Sequence, residues 1–300
     1  MRKQDHTQMP KGVDLFRMII GVFGIGTSGP LIALSTMPIP ALIFWRNLGA
    51  ALITLPLALK KKEWSNYHQA GLVWSFVAGV ALGLHFFGFF IAMRYTSVAA
   101  GVALTALQPI FAALFLKMLG SHIPTKAWIG MAVSFAGVLL ITGVDLSISF
   151  SSFLGDLAAI LGAAIAAIYV LLGAKARQTI STATYTTVAY FASAITALPF
   201  VIYFGNDFFG YKNFEWLIVL GLIVGAQLLG HSMFNSVLKR VSPAVVSLIV
   251  FFEVPVGAIL AFWWLGQTPP LGVLPGIVLI LIGCAIVVLR VKVSEGQVSN

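Results

Sequence analysis

The chain has 300 residues, 59% of them hydrophobic and 9% charged, with a formal net charge of +9. A soluble domain carries about 25% charged residues, roughly 75 in this length, whereas this chain has 18 Lys and Arg and 9 Asp and Glu, too few to clothe a water-facing surface. The positive charges punctuate apolar runs instead of forming a basic face, which excludes nucleic acid as the main partner, and the lone Cys284 excludes an internal disulfide or a cysteine-based metal site.

Residues 1–14 read as a polar cytoplasmic segment, with no small-residue cleavage pattern after the first apolar run. Ten apolar runs follow, each near the ~20 residues that cross a bilayer as a helix. In chain order they are Leu15–Leu34, Ile39–Leu59, Gln69–Ala92, Ser97–Leu119 and Lys126–Thr142, then Phe153–Gly173, Thr182–Phe204, Phe214–Ser236, Pro243–Leu265 and Leu271–Leu289. Residues 290–300 form a second polar tail. With both termini cytoplasmic, fifteen Lys and Arg fall inside: Arg2, Lys3, Lys11, Arg17, Lys60, Lys61, Lys62, Lys117, Lys126, Lys175, Arg177, Lys239, Arg240, Arg290 and Lys292. Outside lie two, Arg94 and Lys212, as the positive-inside rule requires. The fold class is therefore an all-α, multi-pass integral membrane protein of ten transmembrane helices.

The chain also repeats itself. Ser97 and Ala99 recur as Ser242 and Ala244, and Gln108 aligns with Glu253. After one inserted residue, Val254, Pro109 matches Pro255, Gly120 matches Gly266, Pro124 matches Pro270, Gly130 matches Gly276 and Gly137 matches Gly283. Two units result, residues 15–142 and 153–289, of five helices each. Five is odd, so the second unit inserts upside down relative to the first, the arrangement of carriers that alternate access around a midplane site.

Two five-helix halves, each with a Pro-containing fourth helix, resemble the EamA-type transporters of the drug/metabolite transporter superfamily. The resemblance rests on ALIFWRNLGAALITLPLAL, MRYTSVAAGVALTALQPIFAALF and LKRVSPAVVSLIVFFEVPVGAILAFWWLG, and extends over residues 15 to 290. It implies ten helices around a central cavity and carriage of small organic metabolites, amino acids or drugs, often outward. Two departures stand out: Ser121 and Gln267 replace the acidic residue often found after the Gly of helices four and nine, and Gln108 is the neutral counterpart of Glu253.

Ionisable groups in a bilayer cost at least ~2.5–3.5 kcal/mol at mid-helix, so they face the protein interior or a cavity. Arg46 lies roughly 10 Å deep in the second helix at 1.5 Å per residue, suited to clamp an anionic substrate group or to act as a structural fork. Glu253, two residues before Pro255, suits proton coupling or a substrate amine, or else hydrogen-bonds to carbonyls. Gln108–Pro109 and Gly29–Pro30 are candidate helix breaks that expose carbonyls to a pathway. His85 and His231 are intramembrane histidines, a type more often used in helix contacts than as ligands, and neither has a metal-ligand companion. Asn47, Gln227 and Asn235 read as packing amides, and Phe86–Phe87, Phe89–Phe90 and Phe251–Phe252 as packing, lipid-facing or cavity-lining rings.

Two enzyme-like motifs overlap in the first helix. Gly24-Ile25-Gly26-Thr27-Ser28-Gly29 fits a dinucleotide pattern but follows no strand. Gly26-Thr27-Ser28-Gly29 fits the Gly-x-Ser-Gly of rhomboid-type intramembrane serine proteases, with Ser28 as nucleophile and His85 or His231 as base; Pro30 and the ten-helix repeat do not suit that family. The reading that accounts for most of the chain is a secondary transporter, not an enzyme. It needs no cofactor or metal and moves a small organic metabolite, amino-acid-like, anionic or aromatic, across the cytoplasmic membrane by alternating access, with efflux the expected direction and a proton the candidate coupling ion. A hydrolase using Ser28 and a channel or scaffold are the alternatives. Arg46, Glu253, Gln108, His85 and Ser28 are the expected substrate or coupling residues, and Pro30, Pro109 and Pro255 the helix-breaking ones.

Overall fold

A computed structural model describes residues 12–65, 68–120, 123–237 and 249–290, and these are helical with no strand among them. Residues 1–11 and 291–300 of the polar tails, Ser121, Lys239, Arg240, Ser242, Ala244 and the expected start of the ninth helix at Pro243 lie outside the described residues. Among the described residues, eight helices are long and apolar enough to cross a membrane: α1 Val13–Leu34, α2 Ile39–Lys60, α3 Gln69–Tyr95, α4 Val98–Met118, α5 Thr125–Ile148, α6 Phe150–Ala176, α7 Thr182–Tyr203 and α8 Asn213–Val237. Two shorter apolar helices follow, α9 Glu253–Leu265 and α10 Leu274–Arg290.

The connections are tighter than hydropathy suggests. The expected link between Thr142 and Phe153 shrinks to Ser149, whose hydroxyl caps α6 by accepting from the Ser152 N–H. Asp145 thus falls inside α5, beyond the expected end at Thr142, because an apolar window cannot foresee that a carboxyl is buried; Asp156 lies inside α6, within the expected Phe153–Gly173. Ser97 and Ser181 cap α4 and α7 in the same way. Gly120 and Gly266, matched in the repeat, both take positive φ beyond the ends of α4 and α9, a left-handed conformation that favours glycine.

Small residues face inward and large ones outward. Alanine dominates the buried set, while Phe16, Phe23, Phe135 and Trp263 are exposed. A soluble surface does not carry so much apolar area, whereas membrane helices use small residues to bring backbones together. The chain is a multi-pass membrane protein.

Helix pairing obeys an exchange of the two halves. The α3–α6 pairing becomes α8–α1, α3–α7 becomes α8–α2, and α2–α7, α4–α9 and α5–α10 map onto themselves; each of these pairs is packed together. The repeat-matched glycines build the self-paired α5–α10 seam. A Cβ on Gly130 would lie 2.6 Å from the Gly283 carbonyl oxygen, and one on Gly137 would lie 2.6 Å from that of Gly276.

Two carboxylates fasten the ends of the bundle in the same exchanged sense. Glu215, at the start of α8, receives the Ser35 hydroxyl at 2.5 Å, the Thr36 N–H and hydroxyl at 2.9 and 2.6 Å, and the Met37 N–H at 3.2 Å, clasping the α1–α2 turn. Glu63, after α2, receives the Ser181 N–H and hydroxyl at 3.0 and 2.7 Å and the Thr184 hydroxyl at 2.6 Å, clasping the α6–α7 turn. Partial burial pushes the Glu63 carboxyl up, but the bonds from Thr184 and Ser181 outweigh it and hold it below the usual carboxylate range.

Two measurements check this packing. Gly283→Ala drives a Cβ to 2.3 Å from Ser134 Oγ and 2.4 Å from the Gly130 carbonyl, so unfolding in mixed micelles should show a loss of about 1–3 kcal/mol. Gly143→Ala, which meets nothing within 4 Å, should be neutral or gain up to about 1 kcal/mol. Because the Glu63 carboxyl is held low, its latch is at full strength above the ordinary carboxylate range and is lost as pH falls through the lowered value. The acid limb of the melting-temperature profile should therefore be shallower in Glu63→Gln than in wild type.

Candidate functional site

Three helices break where their prolines forbid continuity. In α1 the break falls at Thr27, between Val13–Gly26 and Ser28–Leu34, one turn before Pro30, whose ring crowds the preceding turn. The Thr27 hydroxyl turns back to donate to the Gly24 carbonyl at 2.7 Å. In α4 the segments Val98–Thr105 and Gln108–Met118 part at Ala106–Leu107, and Pro109 opens the second. In α9, Phe251 and Phe252 form a turn and the helix proper begins at Glu253. Glu253, expected near the middle of a continuous helix, instead occupies a helix start, as does its repeat partner Gln108. Pro109 and Pro255 have no N–H, and the Ile110, Val254 and Val256 N–H groups bond to preceding carbonyls, so each start contributes the positive end of its helix dipole beside these polar side chains.

These breaks border a cavity of about 180 Å³. Ser28, His85, Gln108, Pro109 and Glu253 line it, and so do Tyr169, His231 and Asn235. Phe86, Phe89, Phe234 and Phe251 supply aromatic wall. Pro30 and Pro255 lie away from the lining and act through the backbone.

Arg46 stands behind the wall. It is 1% exposed and its Nε donates to Gln227 Oε1 at 2.7 Å. Its Nη1 donates to Ser28 Oγ at 3.3 Å, and its guanidinium carbon lies 4.2 Å above the Phe86 ring and 5.6 Å from that of Phe90. Gln227 in turn donates to Asn47 Oδ1 at 3.0 Å, and the Asn47 amide donates to the Ile43 carbonyl at 2.8 Å. Gln227 lies in a π-helical stretch of α8, Leu222–Ser232, whose wider turns leave its own carbonyl to accept from the Ser232 and Tyr190 hydroxyls at 3.2 and 3.3 Å. Glu253 is within the electrostatic reach of Arg46, yet the guanidinium spends its hydrogen bonds on neutral groups.

The histidines are positioned from both sides. His85 Nδ1 meets the Gly162 carbonyl at 2.9 Å, a bond in which the ring donates, and the ring stacks on Phe89 with centroids 6.0 Å apart. The His231 ring sits edge-on to Phe86 at 6.0 Å. Ser28 receives a hydrogen bond from a cation; a serine nucleophile instead needs a neighbouring base.

Gln227 and Tyr190 were not legible as site residues. Gln227 reads as a packing amide, and the one available signal was that an intramembrane cation such as Arg46 must find an acceptor. Tyr190 sits in an ordinary apolar run, and only the packing of α7 on α2 and α3 shows its use.

Comparison with known proteins agrees with this geometry. The model of the EamA-like transporter family matches residues 14–143 and again 153–289. The chain is 26% identical over 289 residues to a Bacillus subtilis (strain 168) protein named Uncharacterized transporter YxxF, covering 93% of this chain and 91% of that one. A solved crystal structure superposes with a TM-score of 0.61 at 18% identity, over 93% of this chain and 97% of the other, a likeness of fold.

Removing one acceptor of Arg46 should be felt according to bond quality. Gln227→Leu leaves the buried Nε unsatisfied and should lower the unfolding free energy by about 1–3 kcal/mol. Ser28→Ala, at the longer contact, should cost about 0.5–1.5 kcal/mol. Unfolding of the purified variants in mixed micelles gives both values.

Proposed function

Because the chain belongs to the EamA-like transporter family, we propose that it is a secondary transporter of a small organic metabolite in the cytoplasmic membrane, working by alternating access and exporting its solute. The observation that carries this reading is the cavity bordered by the helix starts at Gln108 and Glu253, polar at those starts and aromatic between them. Ten spans in two inverted five-helix units, with both termini cytoplasmic, form the proposed topology; the exchange symmetry of the helix pairs supports it.

The solute is anionic, with an apolar or aromatic body. Arg46 projects positive charge through Ser28 and Phe86 into the cavity, and two helix starts add to it. Phe86, Phe89 and Phe251 receive the body. Gln108 offers an amide to orient the head group. Glu253 is the coupling carboxyl: protonated, it removes a negative charge from the cavity as the solute enters, and ionised, it repels the solute on the release side. His85 positions the wall. No step requires a cofactor or a metal.

Mass spectrometry of medium and cell extract should be compared among cells expressing matched amounts of wild type, Glu253→Gln or neither. An anionic or aromatic metabolite should accumulate in the medium with wild type and markedly less with Glu253→Gln. Equal accumulation with both proteins would remove Glu253 from coupling; no accumulation with wild type would overturn export.

A further inference from the structure

Where α5 meets α6, away from the cavity, the chain buries two carboxylic acids. Asp145, in the last turn of α5, is 2% exposed and Asp156, in the second turn of α6, is 0% exposed. Thr96, in the turn between α3 and α4, donates its hydroxyl to Asp145 Oδ2 at 2.8 Å. Asp156 faces the same hydroxyl and the Asp145 carboxyl, yet neither of its oxygens accepts a hydrogen bond within 3.5 Å. The turns are pressed together: a Cβ on Gly155 would lie 3.1 Å from the Thr96 nitrogen.

Among the described residues, no cation forms an ion pair with these carboxyls. From α3 the nearest charged side chain, Arg94, donates to the Met37 carbonyl and is balanced by Glu215; Tyr95 beside it is half out of the protein. The first segment of α4, Val98–Thr105, carries no titratable group. The start of α10 brings Gly272 against Val144, and Gln267, before it, accepts the Val98 N–H at 3.0 Å. On α5 and α6 the other titratable groups lie turns away: Lys126 at the opposite end of α5, and Tyr169 and Lys175 toward the opposite end of α6. Four carboxyl oxygens therefore share one hydroxyl donor. Two adjacent carboxylates cannot both stay ionised without a cation, and a proton on one turns it into the donor that the other lacks.

We propose that Asp145 and Asp156 hold one proton between them, forming a proton-binding site separate from Glu253 that ties the α3–α4 turn to the α5–α6 turn. Twelve residues, roughly 18 Å at helical rise, separate Thr96 from Gln108, so the two carboxyl sites stand at different depths of α4. With the proton bound, the start of α4 is docked on α5 and α6. Without it, the carboxylates repel and release the segment that carries Val102 and Thr105 of the cavity wall. The proton site stands on its own geometry; its use in moving solute rests on the transport reading above.

Infrared spectroscopy of the full chain reconstituted in lipid tests it. At neutral pH in potassium buffer, wild type and Glu253→Gln should both show a protonated carboxylic acid C=O band, and adding Asp156→Asn to Glu253→Gln should remove it. Thr96→Val should shift that band rather than abolish it, which keeps the test open if Asp156→Asn fails to fold. The melting temperature of wild type should fall as rising pH strips the shared proton, and that of Asp156→Asn should change less. Absence of any acid band in Glu253→Gln overturns the proposal, as does loss of the wild-type band when sodium replaces potassium, the mark of a metal cation at the site. Acid band present but no export in cells would sink the transport reading and leave the proton site standing.

Discussion

Arg46 enters α2 about two turns below its start and has no route to water, so the bundle is built around what the guanidinium needs. Its Nε fixes Gln227 on α8, its Nη1 fixes Ser28 on α1, and its face fixes Phe86 on α3. Four helices from both halves thus converge on one side chain. Gln227 cannot serve unless its own amide is satisfied, which recruits Asn47 one residue along α2, and its carbonyl is met by Tyr190 on α7. A charge whose partners are neutral keeps most of its field, and in a medium of low dielectric that field reaches further than it would in water. The same interaction therefore holds the core and makes the adjoining cavity electropositive.

The exchange symmetry of the halves gives the ends of the bundle matched fastenings. Glu215 clasps the α1–α2 turn and Glu63 the α6–α7 turn. Successive helices joined by short turns run in opposite directions, so turns five helices apart lie at opposite ends of the bundle. Under the proposed cycle each carboxylate fastens one end, and opening requires that its bonds be lost or carried along as a unit. The glycine seam of α5 and α10 differs in kind: backbones in contact leave no side chain to rearrange, so this pair is better suited to be the fixed axis.

The membrane class and the repeat were legible because both depend on composition and spacing. Gly130, Gly137, Gly276 and Gly283 recur at one offset because the seam tolerates no Cβ, and Gly120 and Gly266 recur because both helix ends need positive φ. The Glu63–Glu215 correspondence was illegible: the residues sit at different distances from the helices they precede or open, and their partners are turn hydroxyls and amides with no pattern of their own. Hydropathy likewise cut α5 short before Asp145, since a window scores a carboxyl as solvent-seeking whether or not a neighbour satisfies it. Gln108, Glu253, Ser28 and His85, which line the cavity, were legible as polar residues beside a proline, a glycine or an aromatic run in an apolar span; Gln227 escaped because its role is to hold another residue.

Placing Gln108 and Glu253 at helix starts changes what each can do. In a continuous helix, backbone N–H groups near a buried glutamate are already bonded and the carboxyl must find donors elsewhere. At these starts the prolines carry no N–H, and the Ile110, Val254 and Val256 N–H groups already bond to the Leu107, Phe251 and Phe252 carbonyls, so what each start offers is the positive end of its helix dipole. Under the proposed transport reading, a solute carboxylate entering beside α9 competes with an ionised Glu253 for that field, and protonating Glu253 settles the competition in favour of the solute. Gln108, neutral in the equivalent place, offers its helix start without that competition. The two halves share a backbone architecture and differ by one charge at this position, and under the proposed reading that difference places the linkage of solute and proton binding in the half carrying α9.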